Sequence, residues 1–428
     1  MNGGLSMVEM KSGYKMTEVG VIPEDWEVCE LRNHLVLLTD YDANGSFADM
    51  ASNVVTTTGN GYAWYVRATD LEQQSSLSEV KYVDEKSYRF LRKSTLYGGE
   101  VLLAKRGEIG KVYYFQMKTK RATLAPNLYL LKLKDTINSY FLFSLFKSTF
   151  GQNLLKSINA STSLGAIYKD DVKGLNILIP PFEEQASIAT ALSDVDSLIS
   201  ALTKKIEKKK AIKQGLMQQL LTGKKRLPGF CGDWIKKNVS SVSDIFRGGS
   251  PRPIENYIVK SGGVNWIKIG DVDSSAKYIF RTNEQIIESG IQYSRFVHSG
   301  DLLLSNSMSF GRPYILKTEG CIHDGWLVIQ NYDKYFDKEF LYYLLGSDEV
   351  LKQYKSLSAG SSVLNLNKDI VGKVVLYFPP SISEQTAIAN ILSDCDSEIV
   401  ALEEKRDKYK EIKQGMMQQI LTGKIRLI

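Results

Sequence analysis

Two pairs of short polar segments carry the side chains best suited to an anionic, hydrogen-bonding partner. Ala104-Lys105-Arg106-Gly107 stands about two hundred residues before Ser305-Asn306-Ser307-Met308. Asn159-Ala160-Ser161-Thr162-Ser163 is matched in the same way by Ser358-Ala359-Gly360-Ser361-Ser362. Lys and Arg supply positive charge and fixed donors, while Asn and Ser both donate and accept. That combination binds phosphates and reads base edges. Gly- and Ser-rich segments also serve as plain turns, and a lysine on a loop is equally well a solvated one, so it is the recurrence at matched places that favours binding. The candidate contact residues are Lys105, Arg106 and Lys111, with Arg67 behind them, and Ser161 and Ser163 in the first half. In the second half they are Lys268, Asn306, Ser307, Arg312, Ser361 and Ser362. Trp64 and Trp266 lie near them but are expected in the core rather than as stacking platforms.

Catalytic chemistry is harder to find. Four cysteines (Cys29, Cys231, Cys321, Cys395) and three histidines (His34, His298, His323) are scattered singly, which argues against a disulfide framework or a zinc site. Ile179-Pro180-Pro181-Phe182 has the shape of the N-P-P-F tetrapeptide of amino-methyltransferases. Its first residue is apolar, however, and cannot hydrogen-bond a target amino group. Gly223-Lys224 is followed by Lys225 and Gly110-Lys111 by Val112, so no phosphate-binding P-loop is present. A nucleophile elbow, an H-E-x-x-H pair and a histidine-centred triad are also missing. An enzyme with a diverged site around Tyr62–Asp70 is the alternative of a different class, and methylation or cleavage by the purified chain alone would reveal it. The expectation is a binder with no chemistry or cofactor of its own.

A chain of 428 residues is long enough for two or more domains, and 43% hydrophobic with 24% charged residues is ordinary globular composition. Fifty-four Lys and Arg against 48 Asp and Glu give +6, all of it carried by residues 1–228. This excess permits an anionic partner without requiring one. No apolar run approaches the length of a membrane span, so a soluble cytoplasmic protein is expected, with no membrane partner.

The elements that must position these segments are organised by a repeat. Residues 185–226 and 385–426 are identical at 26 of 42 positions at a constant offset of 200. The rest repeats more faintly. Gly99-Glu100-Val101-Leu102-Leu103 matches Gly300-Asp301-Leu302-Leu303-Leu304, and Ile22-Pro23-Glu24-Asp25-Trp26 parallels the stretch ending Asp233-Trp234. Units of this size are not stacking solenoid repeats. They read as globular unit, helix, globular unit, helix, in pseudo-two-fold relation.

In the first repeated helix the apolar positions are Ile188, Leu192, Val195, Ile199, Leu202 and Ile206, spaced 4, 3, 4, 3 and 4. This is a heptad seam, and Ile388, Leu392, Cys395, Ile399 and Leu402 repeat it. Each helix of about 38 residues would be roughly 57 Å long, and the two are expected to pair antiparallel. The alternative is that each packs only onto its own domain. Pro180-Pro181 and Pro379-Pro380 precede the helices, and Gly223 and Gly423 end them. Leu216, Met217, Leu220, Met416, Met417 and Ile420 form Met-rich apolar ends expected to bind partner chains. Lys204–Lys213 is strongly basic and reads as a solvated face, with phosphate contact as the alternative.

Both globular units show short β-type runs and one late helical segment. In the first unit the runs are Tyr62–Asp70, Val101–Lys105, Lys111–Gln116, Leu128–Leu133 and Leu175–Ile179, with a helix at Ser139–Lys156. In the second they are Val264–Val272, Asp301–Leu304, Pro313–Leu316, Trp326–Gln330 and Val374–Phe378, with a helix at Lys338–Ser356. The expected class is mixed α/β: two similar recognition domains joined by two long antiparallel coiled-coil helices. The segments are an extension (1–16), a first domain (17–180), a spacer helix (181–226), a second domain (227–379) and a terminal helix (380–428).

This frame resembles the specificity subunits of type I restriction-modification systems. The resemblance rests on Pro180-Pro181, Glu184-Gln185, Ile188-Ala189 and Lys213–Lys224, which recur as Pro379-Pro380, Glu384-Gln385, Ile388-Ala389 and Lys413–Lys424. The opening Glu18–Trp26 is similar to that family's start, so the likeness covers nearly the whole chain. It implies two target-recognition domains, each reading one half of a split double-stranded DNA sequence, with helices as the spacer. It also implies two methyltransferase subunits on the helices and two translocase-nuclease subunits for cleavage. S-adenosylmethionine, ATP and Mg would belong to those partners, and the methyltransferases would flip adenines. A related two-component system fusing methylase and nuclease is the alternative setting. Recognition domains of this family diverge strongly, so no base contact carries over residue by residue.

Overall fold

The computed structural model describes residues 12–107, 109–159, 165–273, 276–306, 310–359 and 365–428. Two compact units form. One comprises residues up to Leu202 together with Lys405–Ile428, and the other is Thr203–Glu404. Each unit therefore takes one globular domain, the head of one long helix and the tail of the other.

The first unit has a four-stranded antiparallel sheet in the order 112–114, 101–104, 128–133, 35–40. A second sheet of five strands runs 56–58, 81–83, 63–66, 122–124, 95–96, with 122–124 parallel to 63–66. The second unit repeats this plan: 302–305 pairs antiparallel with both 313–316 and 326–330, and 320–322 runs parallel to 264–267. Runs such as Val101–Ala104 and Leu302–Ser305 are buried along their whole length, because both faces of the sheet are covered. Trp64 and Trp266, each 1% exposed, lie in these cores as expected.

Two expected strands end early and two expected helices are broken in two. The run from Tyr62 stops as a strand at Val66, because the Asp70 carboxylate accepts the backbone N–H of Arg67 and starts a helix over Ala68–Glu72. Asp271 does the same to Lys268, ending the strand of the second unit at Ile267. The single helix expected at Ser139–Lys156 is two, Ser139–Lys147 and Thr149–Ser157. Ser148 is extended, and its hydroxyl caps the new helix at Gly151. Gly346 and Ser347 make the same break between Lys338–Leu345 and Asp348–Leu357.

The long helices are Phe182–Leu220 and Ile382–Ile420, 39 residues each. Within the first unit the head of the first helix and the tail of the second run antiparallel. Asp196 bridges Lys413 at 2.6 Å, and farther along Glu184 holds Arg426. In the second unit Asp396 bridges Lys213, Glu398 bridges Lys209, and Glu384 holds Arg226. The seam residues Ile188, Leu192, Ile388 and Leu392 are at most 1% exposed and sit in the domain cores. The helices thus pair and also pack on the domains.

The repeated polar residues lock these contacts. Glu184 and Glu384, 3% and 1% exposed, accept paired hydrogen bonds from Arg426 and Arg226, and each also takes a tryptophan N–H, from Trp26 and Trp234. The side-chain oxygens of Gln185 and Gln385 receive the backbone N–H of Asn138 and Asp337, which begin the late helices. Tyr140 donates to Asp196 and Tyr343 to Asp396. Burial and then those carboxylates push both phenols above their ordinary range.

Gly423 ends the second helix at φ +71°, and a Cβ there would lie 2.4 Å from Pro23. Gly223 has φ +69°, but a Cβ there would lie 3.3 Å from the nearest atom, in the Trp234 ring. Left-handed backbone costs an L-residue about 1–2 kcal/mol, so Gly223→Ala should lose roughly that much. Gly423→Ala, which adds the Pro23 overlap, should lose more. Thermal unfolding of the two variants measures the difference, and equal losses would show that Pro23 yields freely.

Candidate nucleic-acid interface

At one end of each domain, strand-end loops converge. In the first unit these are residues 41–47, 105–107, 125–127 and 165–167. Lys105 N–H donates to the Asn127 carbonyl, Gly107 N–H to Gly165, and Ile167 N–H to Lys105. Arg106 forms a bridge with Ala166. In the second unit Asn306 N–H donates to Gly325, and Leu366 N–H to Asn306. In both units the first polar segment therefore meets the chain just beyond the second one, at residues 165–167 in the first unit and at Leu366 in the second. Ser161, Ser163, Ser307, Ser361 and Ser362 lie outside the described residues.

The chemistry within the two loop clusters differs. In the first, Asp40 is buried and holds Lys105 at 3.1 Å and Lys169 at 2.8 Å, while Lys105 also bridges Asp42. Burial alone would raise the Asp40 pKa, but the two ammonium groups outweigh it and hold the carboxyl below its ordinary 3.8. The network therefore stabilises fully above that value and fails as the pH falls through the lower, folded one. Acid unfolding of the first unit should show that loss, and Lys105→Met should move it.

Lys105 consequently cannot serve as the expected exposed contact: its side chain is 10% exposed and ion-paired on both sides. Arg106 beside it is exposed. Lys105→Met should cost about 1–3 kcal/mol of stability, the range for leaving a buried hydrogen-bonding group short of a partner, because Lys169 still pairs with Asp40. Arg106→Ala should leave unfolding unchanged and weaken DNA binding. Thermal unfolding with a binding titration separates the two, and the reverse pattern would refute the assignment.

The other candidates are also constrained. Arg67 is held by Asp70 through Nε and Nη2. Lys111 bridges Glu72 at 2.9 Å, and Lys268 bridges Glu284 at 2.8 Å. Asn306 is 2% exposed, and its amide donates to the Asp324 carbonyl, so it braces the loop from inside. Arg312 lies over the Tyr314 ring. It lines a 550 Å³ cavity with Lys213, Met217 and Tyr342 beside the long helix. The Met-rich ends also need correction. Leu220 and Ile420 are 2% and 4% exposed and belong to the domain cores, with Leu216, Met217, Met416 and Met417 packed against those cores. Their apolar surface covers the chain's own domains because each tail docks on a globular domain. The exposed apolar side chains that recur in both helices are instead Phe182 and Ile382, and Ile212 and Ile412, while Leu198 and Val400 are exposed without an apolar counterpart.

One group in the second cluster escaped the sequence reading. Arg247-Gly248-Gly249-Ser250-Pro251-Arg252-Pro253 follows the strand 244–247 and lies against His323 and Asp324. Its signal was available, since two arginines among Gly, Ser and Pro form a basic loop held in a defined shape.

Among the described residues no helix is long and apolar enough to cross a membrane. Residues 23–214 and 232–414 each match the family model for the type I restriction modification DNA specificity domain. The MjaX specificity subunit of a type I restriction enzyme from Methanocaldococcus jannaschii is 27% identical, over 97% of both chains. The MjaVIII specificity subunit from the same organism is 24% identical, over 95% of this chain and 94% of its own. In fold, the chain is similar to the crystal structure of a type I restriction-modification S subunit from M. genitalium. That match has a TM-score of 0.59 at 14% identity and covers 92% of this chain and 96% of the other.

Proposed function

Because the chain belongs to the family of type I restriction-modification DNA specificity subunits, we propose that each globular domain reads one half of a split DNA sequence and that the long helices dock methyltransferase subunits. The observation that carries this is the duplication of the frame without duplication of the loop chemistry. Both units keep the same central strand pairings, the same Glu–Arg clamp and the same converging loops. Yet the first cluster is an Asp–Lys–Lys network and the second is built around Arg, Asn, Ser and His. Dissimilar loops on a common scaffold are what an asymmetric, two-part target requires, because base edges differ in their donors and acceptors.

The repeated exposed side chains support two like partners. Phe182 recurs as Ile382 and Ile212 as Ile412, so each unit presents the same two exposed apolar positions on its helices, 41–50% exposed. The methyltransferase subunits would bring S-adenosylmethionine and the catalysis, and two translocase-nuclease subunits would bring ATP and Mg for cleavage. This chain acts as the non-catalytic recognition subunit. In a two-component methylase-nuclease the same chain would need no separate motor, and co-purification distinguishes the two assemblies.

The test is to assemble the chain with methyltransferase subunits and S-adenosylmethionine, expose DNA to the complex and sequence the modified bases. A two-part motif with a fixed gap is expected. Modification at a single uninterrupted motif, or by the purified chain alone, would refute the proposal.

A further inference from the structure

Resting on that reading of the second domain, we propose that Arg252 is its guanine-reading residue, with Asp324 as the positioning residue that aims it. The loop carrying Arg252 is fixed at its base. Gly248 N–H donates to the Trp326 carbonyl and Gly249 N–H to Ile322, and a Cβ on Gly248 would meet the His323 carbonyl at 2.2 Å. Pro251 and Pro253 flank the arginine, and each ring fixes φ near −65°. The loop thus loses little freedom on binding, which is how preorganisation adds affinity.

The side chain itself is presented outward. It is 81% exposed, and its Nη2 lies 3.6 Å from Asp324 Oδ2, beyond a good hydrogen bond. That contact orients the guanidinium yet is weak enough for a ligand to replace. Asp324 is firmly held. Its Oδ1 accepts from Ser250 at 3.1 Å and from His323 Nε2 at 3.0 Å, and its carbonyl accepts from Arg247 at 3.1 Å and Asn306 at 2.8 Å. His323 Nδ1 accepts the Gly325 N–H, so the ring proton sits on Nε2, facing the carboxylate. Arg252 borders an open cleft of 590 Å³ lined by Ser250–Glu255 and His323.

A guanidinium held at one edge and open at the other matches the O6 and N7 acceptors of guanine in the major groove, the two-pronged contact that side chains make most often with bases. A phosphate would also accept from it, but such a contact carries no sequence information. In the first domain the corresponding loop, residues 41–47 after the strand 35–40, has no Lys or Arg and carries Asp42, which pairs with Lys105, so guanine reading of this kind belongs to the second domain.

The experiment uses the assembled complex with methyltransferase subunits, genomic DNA and sequencing of modified bases. Arg252→Ala should lower modification of the normal motif by about 10- to 100-fold, the range of one good bidentate contact. It should also make one G·C position degenerate in one half of the motif, leaving the other half and the gap unchanged. Asp324→Asn should produce degeneracy at the same position with a smaller loss. Because Arg252 is exposed, its unfolding temperature should not move. A uniform fall in modification with an unchanged motif would mark a phosphate contact and overturn the proposal, as would an unchanged rate or degeneracy in the other half. A wild-type complex that gives no two-part motif would instead overturn the underlying reading.

Discussion

Arg226→Ala should destabilise the unit formed by residues 203–404 by about 3–5 kcal/mol, the range for stranding one partner of a buried ion pair. Glu384 is 1% exposed and its guanidinium partner contributes two parallel hydrogen bonds, of 2.6 and 2.7 Å. Without Arg226 the carboxylate keeps, among the described residues, only the Trp234 N–H at 3.4 Å, in a setting where solvent cannot compensate it. Arg226→Lys should recover part of the loss, since an ammonium restores the charge but not the two-pronged geometry. Arg426→Ala makes the same break in the first unit, where Arg426 also binds Asp25. That hydrogen bond holds the Asp25 carboxyl below its ordinary 3.8, so its contribution is present above that pH and is lost as the pH falls through the folded value. Amide hydrogen exchange distinguishes the two variants, because each should accelerate exchange in its own unit. Global acceleration from either one, or none, would contradict the clamp.

Leu192→Ala should cost about 2–5 kcal/mol, the range for truncating a buried leucine. Leu192 is fully buried, and it belongs at once to the helix seam and to the first domain's core, beside Ile188 and Ile420. Leu392 holds the same place in the second unit. Leu192→Asp should do worse, because an unpaired carboxylate would enter that core. Leu198→Ala is the control: it lies on the same helix but is 36% exposed, and a change there should stay within about 0.5 kcal/mol. Denaturant unfolding measures all three. Equal effects at Leu192 and Leu198 would mean that the seam does not carry the domain.

Much of this architecture was legible because it is written in local spacing. The 4-3-4-3 steps from Ile188 to Ile206 give the seam, the prolines and glycines bound the helices, and the 200-residue offset reveals the duplication. The roles of the repeated polar residues were not legible. Glu184, Asp196, Lys213 and Arg226 stand out as repeated letters, but their partners lie far away in the sequence, on the opposite repeat's helix. The same distance defeated the choice of Lys105. Residue type suggests a contact, whereas Asp40, sixty-five positions earlier, neutralises it inside the fold. Asn306 was misjudged in the same way, since the carbonyl it braces belongs to Asp324. The apolar tails were expected to bind partner chains, whereas in each unit they pack on the chain's own domain core. Arg252 could have been found from its proline-flanked setting, had fixed loops been weighed above basic ones.

Exchange of the second globular domain, residues 235–378, for that of a family member with a different target tests the central claim most directly, with modified bases sequenced after methylation by the assembled complex. One half of the modified motif should change while the other half and the gap between them persist. A motif that changes in both halves, or in neither, would contradict the assignment of one reading surface to each domain.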